Sequence, residues 1–282
     1  VITREDIKNS QAADVSTILR NVAGVEISQS GGTGKSSSLF LRGNNSTQVL
    51  ILLDGVRINS ATTGTTSIEN LMLDQIERIE IVRGNASSLY GSEAIGGVVQ
   101  IFTKRGQGEP VFNISAGAGT RGTQRVAAGF GGSAENTDFN FQISKFKTDG
   151  VSAIDTSTHP AANPDNDGYD NNSVSANARH AFSADHSLSA SIFNSRGQNQ
   201  YDSAYGLPAD INDSEIRVSK FSLASDNRLN EIWQSKLLLA QGTDDYRDFK
   251  NGVATPYGSV YKTANRQLNW QNTFRLDAEN QL

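Results

Sequence analysis

The stretch "VRGNASSLYGSEAIGGVVQIFTKRG", residues 82–106, joins a run of small, turn-forming residues to a segment rich in β-branched side chains. Residues 98–103 have the composition of a buried strand. The glycines and serines before them are typical of a loop in which the backbone approaches a neighbouring surface closely. The stretch therefore predicts a buried strand that follows a closely packed loop.

The rest of residues 1–106 mixes helical and strand periodicity. Thr3 precedes Asp6 by three residues, as in a capping box, and apolar residues recur at helical spacing from 15 to 22. We expect one amphipathic helix there, ending at Gly24. Short strands follow, and Asp54-Gly55 is a two-residue turn signal inside "QVLILLDGVRIN". This part is predicted to be a compact α+β domain.

After residue 106 the pattern changes to about eight strand-length segments with alternating polarity, for example "DFNFQISKF" and "HSLSASIF". Such alternation is typical of transmembrane β-barrel strands, but a soluble β-sandwich alternates too. Long polar segments, residues 148–172 and 195–215, separate some of the strands. Long loops that alternate with short turns favour the barrel.

Composition excludes several classes of function. The chain has 25 Lys+Arg against 30 Asp+Glu, a net charge of -5, so it has no basic field for nucleic acid. It has no cysteine, which removes disulfides and thiolate metal sites. The longest uninterrupted apolar run, residues 49–53, is too short for a membrane helix.

The stretch 82–106, together with "LLDGVRIN" at 52–59, "LRNVAGVEISQSGG" at 19–32 and "LFLRG" at 39–43, resembles the plug domain of TonB-dependent outer-membrane transporters. The loops "GGTGKSSSLFLRG", "NSATTGTTS", "DNDG" and "QYDSAYG" are similar to those of cobalamin-transporting members of the family. The resemblance covers all of residues 1–106 in order and extends into the loops that follow.

The resemblance implies the fold class. We expect an α+β plug domain at residues 1–106, followed at residues 107–282 by antiparallel β-strands of a truncated transmembrane β-barrel of about 22 strands. It implies a monomer in the outer membrane of a Gram-negative bacterium, in contact with outer-membrane lipid. TonB would supply energy through a box upstream of residue 1. Because only about eight strands are present, we expect a piece of a longer protein.

A plug must also fit closely inside its barrel. We expect Gly91, Gly96 and Gly97 to let the plug pass near the barrel wall. Four charged residues resemble plug charges that face carboxylates of the barrel wall, although surface salt bridges are an equal alternative: Arg42, Arg57, Glu80 and Arg83.

The acidic loop segments suggest a calcium site. Asn163, Asp165 and Asp167 have EF-hand spacing, but Val174 stands where such a loop requires a bidentate Glu, so an EF-hand is rejected. By resemblance, calcium would order the outer loops through carboxylates and backbone carbonyls of six residues: Asp149, Asp165, Asp167, Tyr201, Asp202 and Ser203. The alternative is a set of solvated acidic turns without an ion.

The resemblance also places a corrinoid substrate against two loops that point outward. The expected substrate-binding residues are mostly hydroxyl-bearing and suit the amide fringe of a corrinoid: Lys35, Ser36, Ser37, Ser38, Asn59, Thr62, Thr63, Gly64 and Thr65. The alternative within the family is a ferric siderophore transporter, whose site would gather more Arg and aromatic residues.

No hydrolase, metalloprotease or nucleotide-binding motif stands in a supporting strand–helix context, so we expect no enzyme and no catalytic cofactor. A rival from another class is a secreted, calcium-binding β-sandwich adhesin. In such a fold the apolar strand faces would form a core of their own.

Overall fold

The structure, a computed structural model, describes residues 1–254 and 260–275. Residues 1–106, here called the N-terminal unit, contain helices α1 (Arg4–Ser10), α2 (Val15–Leu19) and α3 (Ser87–Tyr90) and strands β1 (Val25–Gln29), β2 (Ser37–Leu41), β3 (Val49–Leu53), β4 (Val56–Arg57), β5 (Ile76–Arg83) and β6 (Gly97–Thr103). Four short 3-10 helices lie at Ser46–Gln48, Ile68–Asn70, Leu73–Gln75 and Ser92–Ala94. Within the described residues, no helix has both the length and the apolar character needed to cross a bilayer.

The first segment forms two helices, so the prediction of one amphipathic helix is wrong. The capping box is confirmed, because Thr3 Oγ1 accepts from the Asp6 backbone N–H and Asp6 accepts from Thr3 in return. Gln11 then adopts a left-handed conformation that ends α1, and the Asp14 side chain caps α2. Two polar capping residues, Gln11 at the end of α1 and Asp14 at the start of α2, therefore divide the segment into two helices.

The N-terminal unit is built on a four-stranded sheet in the order β4-β3-β6-β5. Strands β3 and β6 are parallel, and all five residues of β3 are buried. Asp54 and Gly55 both have positive φ, at 48° and 83°, which is the geometry of the predicted tight turn between β3 and β4. The core formed around this sheet also includes Phe193 and Val218, which come from the second part of the chain.

The second part of the chain is one long antiparallel sheet, here called the long sheet. Its strands are β7 (Val111–Ala118), β8 (Gln124–Ala134), β9 (Thr137–Thr148), β10 (Tyr169–Ala181), β11 (His186–Tyr201), β12 (Asn212–Arg228), β13 (Trp233–Lys250), β14 (Val253–Ala254) and β15 (Tyr261–Phe274). Strands β7 to β13 pair in chain order, and β13 also pairs with β14 and β15. Among the described residues these are eight long strands and one short one, in agreement with the alternation.

The polar face of the long sheet packs on the N-terminal unit, and the apolar face is exposed. Ile114 is 80% exposed, and Ile192 and Phe221 are about half exposed. On the other face, Ser144, Asn171 and other polar residues are buried. A β-sandwich would bury the apolar face instead, so the adhesin alternative is wrong.

Hydrogen bonds connect the two parts. Gln75 Nε2 donates to Ser144 Oγ at 3.0 Å, and Gln75 Oε1 accepts from Ser175 Oγ at 2.5 Å. Ser195 Oγ donates to the carbonyl of Asn70. These buried polar residues of the alternating strands therefore have partners on the N-terminal unit, which offsets the cost of burying them. Among the described residues, Asn140 Oδ1 and Gln142 Nε2 on β9 are buried without a partner.

Two ion pairs connect the parts with the opposite polarity to the one expected. Asp54 pairs with Lys220 at 2.5 Å, and Asp74 pairs with Arg125 at 2.7 Å, so the carboxylates lie on the N-terminal unit and the cations on the long sheet. Burial raises the pKa of Asp54, but the Lys220 ammonium and the donors of Thr103 outweigh this and lower it. Of the four expected wall charges, Arg57 and Glu80 pair within the unit itself, with Glu93 and Arg78.

The glycines of residues 91–97 do not serve the expected purpose. A side chain on Gly97, whose φ is 144°, would lie 2.3 Å from the carbonyl oxygen of Val82, and one on Gly96 would lie 2.8 Å from Asn44 Cβ. Both contacts are inside the N-terminal unit. The close approaches between the two parts occur elsewhere, at Gly34, Gly197 and Gly242.

Candidate functional site

A cavity of about 320 Å³ lies between the N-terminal unit and the long sheet and is here called the apical cavity. Two loops of the N-terminal unit and strands β11, β12, β13 and β15 contribute its walls. Its lining residues are Ser30, Lys35, Ser36, Ser37, Thr63, Thr65, Thr66, Ser67, Glu69, Asn199, Tyr201, Asp202, Ser214, Ile216, Tyr246 and Tyr261. Hydroxyl groups dominate, so the cavity offers many donors and acceptors to a polar ligand.

The structure brings five of the nine expected substrate residues to this cavity, namely Lys35, Ser36, Ser37, Thr63 and Thr65. The remaining four lie outside its lining. Ser38 belongs to β2, and Asn59 contacts the long sheet through its carbonyl, which accepts from Asn265 Nδ2 at 2.9 Å. Thr62 is exposed, and Gly64 turns the second loop with a φ of 70°.

The Lys35 side chain does not point outward, which corrects the expectation for this residue. It is only 2% exposed, because its ammonium donates to the carbonyl of Asp167 at 3.0 Å, the carbonyl of Gly168 at 3.3 Å and Asn199 Oδ1 at 2.6 Å. Burial lowers the pKa of Lys35 to about 8 against the opposing effect of Asp167 and Asp202. Lys35 thus connects the first loop of the N-terminal unit, by hydrogen bonds, to the start of β10 and the end of β11.

Three carboxylates come together at the rim of this region and are here called the carboxylate cluster. Asp165, Asp167 and Asp202 each place an oxygen within 4.8 Å of the others. The register explains this, since Tyr169 at the start of β10 pairs with Asn199 near the end of β11. The residues just before one strand and just after the other therefore meet.

The electrostatics of the cluster are those of crowded acids. Asp167 is 3% exposed, and burial followed by the nearby Asp202 raises its pKa to about 6, while Lys35 opposes this. Burial also raises the pKa of Asp202, although Ser152 Oγ donates to it at 3.0 Å. Carboxylates held together in this way repel one another unless a proton or a cation neutralises them.

The other three expected calcium ligands lie around the cluster without adding a carboxylate to it. Asp149 packs against Gly122, where a Cβ would lie 2.1 Å from its Oδ2, and its backbone N–H donates to the carbonyl of Arg121. Tyr201 directs its hydroxyl to Asp248 Oδ1 at 2.7 Å. Ser203 accepts from the Gly206 backbone N–H through its carbonyl and from the Tyr205 backbone N–H through Oγ.

The residues present fit a hard cation such as calcium. Three carboxylates from two loop segments converge, and one of them is buried with a raised pKa. Oxygen ligands of this kind are those that Ca²⁺ prefers. A divalent cation would replace the repulsion between the carboxylates with attraction to the ion.

Several cavity residues were missed by the sequence analysis. Glu69 is 2% exposed, and its Oε2 has no hydrogen-bond partner within the described residues. Burial raises the pKa of Glu69 well above its usual value. Tyr246 and Tyr261 stack with ring centroids 4.9 Å apart. The alternating polarity of β13 and β15 predicts that the two tyrosines lie on the polar face of the long sheet. No local pattern predicts which residues of that face line the same cavity.

Comparison with known proteins identifies relatives of this chain. The family model described as "TonB-dependent Receptor Plug Domain" matches residues 1–98. The vitamin B12 transporter BtuB of Photobacterium profundum is 34% identical over 98% of this chain and 44% of its own length. The BtuB of Vibrio cholerae is 32% identical over 98% of this chain and 45% of its own length. The chain thus spans less than half the length of these relatives.

Solved structures share the fold. The ferric enterobactin receptor PfeA of Pseudomonas aeruginosa aligns with a TM-score of 0.73 at 21% identity, over 97% of this chain and 45% of its own. FpvA of P. aeruginosa, solved with bound pyoverdines, aligns with a TM-score of 0.77 at 12% identity, over 99% of this chain and 40% of its own. These relatives are receptors and transporters, not enzymes.

Proposed function

Since this chain belongs to the TonB-dependent receptors, with their plug domain followed by antiparallel barrel strands, we propose that it forms the plug and adjoining strands of an outer-membrane transporter for a corrinoid. The apical cavity is the observation that carries this proposal. It is walled by plug loops and barrel strands together, so a ligand bound there contacts both parts at once. Uptake would draw energy from TonB.

The chemistry of the cavity supports a corrinoid. Hydroxyls of Ser36, Thr63 and Thr65, with the buried carboxyl of Glu69, match the amide groups that fringe a corrin ring. The cavity would hold one edge of such a ligand. The relatives that match over 98% of this chain are vitamin B12 transporters, which favours the same class.

A binding experiment separates the corrinoid from a ferric siderophore. Tyr201, Tyr246 and Tyr261 line the cavity and would suit a ferric chelate, so both ligands are tested. Isothermal titration of the natural full-length protein in detergent is expected to show saturable binding of cyanocobalamin and none of ferric enterobactin. Binding of the ferric chelate alone would replace the corrinoid proposal with the siderophore alternative.

We also propose that calcium orders the outer loops. The carboxylates of Asp165, Asp167 and Asp202 would hold the ion, and the carbonyls of Tyr201 and Ser203 would complete its shell. The ion would supply positive charge that links the segment before β10 to the segment after β11. Since Lys35 binds the first of these segments, ordering it also orders a loop of the apical cavity and lowers the entropy cost of ligand binding.

Removal of calcium tests this second proposal. We expect EDTA to weaken cyanocobalamin binding by roughly 10-fold, because mobile loops must be ordered on binding. Asp167→Asn combined with Asp202→Asn should weaken it similarly and abolish the effect of EDTA. Asp155→Asn, an exposed change in the same loop but outside the cluster, is the matched control. An equal dissociation constant with and without EDTA would contradict the proposal.

A further inference from the structure

A second group of contacts joins the outer loops beside the carboxylate cluster, and it is centred on Asp210. This residue lies near the end of the β11–β12 loop, residues 202–211, and is 6% exposed. Its Oδ2 accepts from the Leu207 backbone N–H at 2.7 Å and pairs with Lys250 Nζ at 2.8 Å. Its Oδ1 accepts from Asn251 Nδ2 at 3.4 Å. The Asp210 carboxylate therefore holds both its own loop and the end of β13.

Asn251 adds to this connection through the backbone of the same loop. Its N–H donates to the carbonyl of Ile211 at 2.7 Å, and its Oδ1 accepts from the Ile211 N–H at 2.8 Å. Asn251 and Gly252 have φ of 51° and 76°, the left-handed geometry that Asn and Gly adopt most readily in a tight turn. The turn after β13 is thus fixed to the end of the β11–β12 loop.

Asn163 extends the contacts to the β9–β10 loop, residues 149–168. Its Nδ2 donates to the carbonyl of Asp210 at 3.1 Å, and its Oδ1 accepts from the Asp165 backbone N–H at 3.2 Å. Asp165 belongs to the carboxylate cluster, so one side-chain amide connects Asp210 to that cluster. Asp210, Lys250, Asn251 and Asn163 are here called the loop junction.

The loop junction joins the same two segments that the carboxylate cluster pushes apart. Asp165 and Asp167 precede β10, Asp202 follows β11, and their crowded charges repel one another. The junction opposes this repulsion with contacts that need no bound ion, because the Lys250 ammonium supplies the positive charge. Hydrogen bonding by Lys250 also lowers the pKa of Asp210, so this carboxylate stays ionised at neutral pH.

We propose that Asp210 is a positioning residue for the apical cavity, and that it holds the outer loops in place before an ion or a ligand binds. The cavity wall that it positions is the one formed by Tyr201 and Asp202, where the β11–β12 loop begins. Loops that are already ordered lose less entropy when a ligand docks. The inference rests on the proposed function for the ligand of this cavity, whereas the loop contacts themselves require neither corrinoid nor calcium.

Hydrogen exchange of the natural full-length protein in detergent, measured by mass spectrometry with EDTA and without ligand, tests the proposal. We expect Asp210→Ala to raise the exchange of backbone amides in residues 149–168 and 202–211 about 10-fold, because it removes the ion pair and the hydrogen bond from Leu207. Lys250→Met should raise it by only about 3-fold, since an exposed ion pair alone contributes little. Lys250→Arg keeps the charge and the donors, so it should exchange like the unchanged protein.

Lys236→Met is the matched control, because Lys236 is also on β13 and forms an ion pair with Asp226 at the other end of the long sheet. It should leave the exchange of both loops as it is in the unchanged protein. Loop exchange in Asp210→Ala equal to that of the unchanged protein would overturn the proposal.

Cyanocobalamin binding to the same samples tests the positioning role. In EDTA, Asp210→Ala should raise the dissociation constant about 5-fold above that of the unchanged protein, because the loops must then be ordered on binding. An equal dissociation constant for the two proteins would overturn this role. If the unchanged protein binds no corrinoid, the proposed function fails, and the exchange result alone decides whether Asp210 holds the loops.

Discussion

Glu69 is a buried acid in the lining of the apical cavity, and its burial lowers the stability of the folded protein at neutral pH. Its carboxyl is buried, its Oε2 has no partner within the described residues, and its pKa is raised well above the usual value. An acid whose pKa is higher in the folded state binds more protons there than in the unfolded chain. Its contribution to stability is therefore lost as pH rises above the unfolded value near 4.5.

We predict that Glu69→Gln stabilises the protein at pH 8 by roughly 1 kcal/mol, because the amide has no charge to desolvate. At pH 4 the difference should be much smaller, since the carboxyl is then protonated in the folded protein and mostly protonated in the unfolded chain. Thermal unfolding in detergent at the two pH values measures this. Glu26→Gln, on the exposed side of β1, is the control and should change neither value. Destabilisation by Glu69→Gln at pH 8 would contradict the prediction.

Lys35 illustrates the limit of sequence reasoning for a single side chain. Its position between glycines and serines indicates an exposed loop, and its side chain is nevertheless buried against Asp167, Gly168 and Asn199. All three partners are more than 130 positions away along the chain. No local pattern around residue 35 contains that information.

Among the secondary-structure elements, the fit between the N-terminal unit and the strands of the long sheet depends on glycines in those strands. A Cβ on Gly242 of β13 would lie 2.0 Å from the carbonyl oxygen of Arg57, and one on Gly197 of β11 would lie 1.9 Å from Asn70 Oδ1. The strands therefore leave room for the N-terminal unit at these two positions. Gly34 of the unit makes room from the other side, since a Cβ there would lie 2.1 Å from the Tyr169 ring, whereas the expected Gly96 and Gly97 make their close contacts inside the unit.

We predict that Gly242→Ala destabilises the docked N-terminal unit by about 2 kcal/mol, because a backbone oxygen cannot move aside easily. Gly117→Ala on β7 is the matched control, since its Cβ would meet nothing within 4 Å. Docking is measured by urea unfolding in which hydrogen exchange of the β3 and β4 backbone amides is monitored. Equal protection of these strands in both variants would show that the close contact between Gly242 and the carbonyl oxygen of Arg57 does not determine docking.

For the molecule as a whole, the exposed apolar face of the long sheet determines the environment that the protein requires. Ile192 of β11 faces outward, and its neighbour Ser191 faces the N-terminal unit. A cation on a lipid-facing position costs free energy, whereas a polar interior tolerates one.

We therefore predict that Ile192→Lys destabilises folding into phosphatidylcholine vesicles by about 2 kcal/mol and that Ser191→Lys does so by clearly less. Urea titration in vesicles, followed by tryptophan fluorescence, measures both changes. A larger loss for Ser191→Lys would mean that the outer face does not contact lipid.

Local sequence was enough to establish the two-part organisation, the strand alternation after residue 106, the Asp54-Gly55 turn and the acidic segments that flank β10 and β11. Each of these is encoded by neighbours along the chain, through turn chemistry and the two-residue period of a strand. The pairing of distant residues became visible only in the folded chain: Lys35 with Asp167, Asp54 with Lys220, and Gly242 with Arg57. These contacts depend on how the long sheet packs against the N-terminal unit, and that geometry joins residues too distant in sequence for any local pattern to pair them.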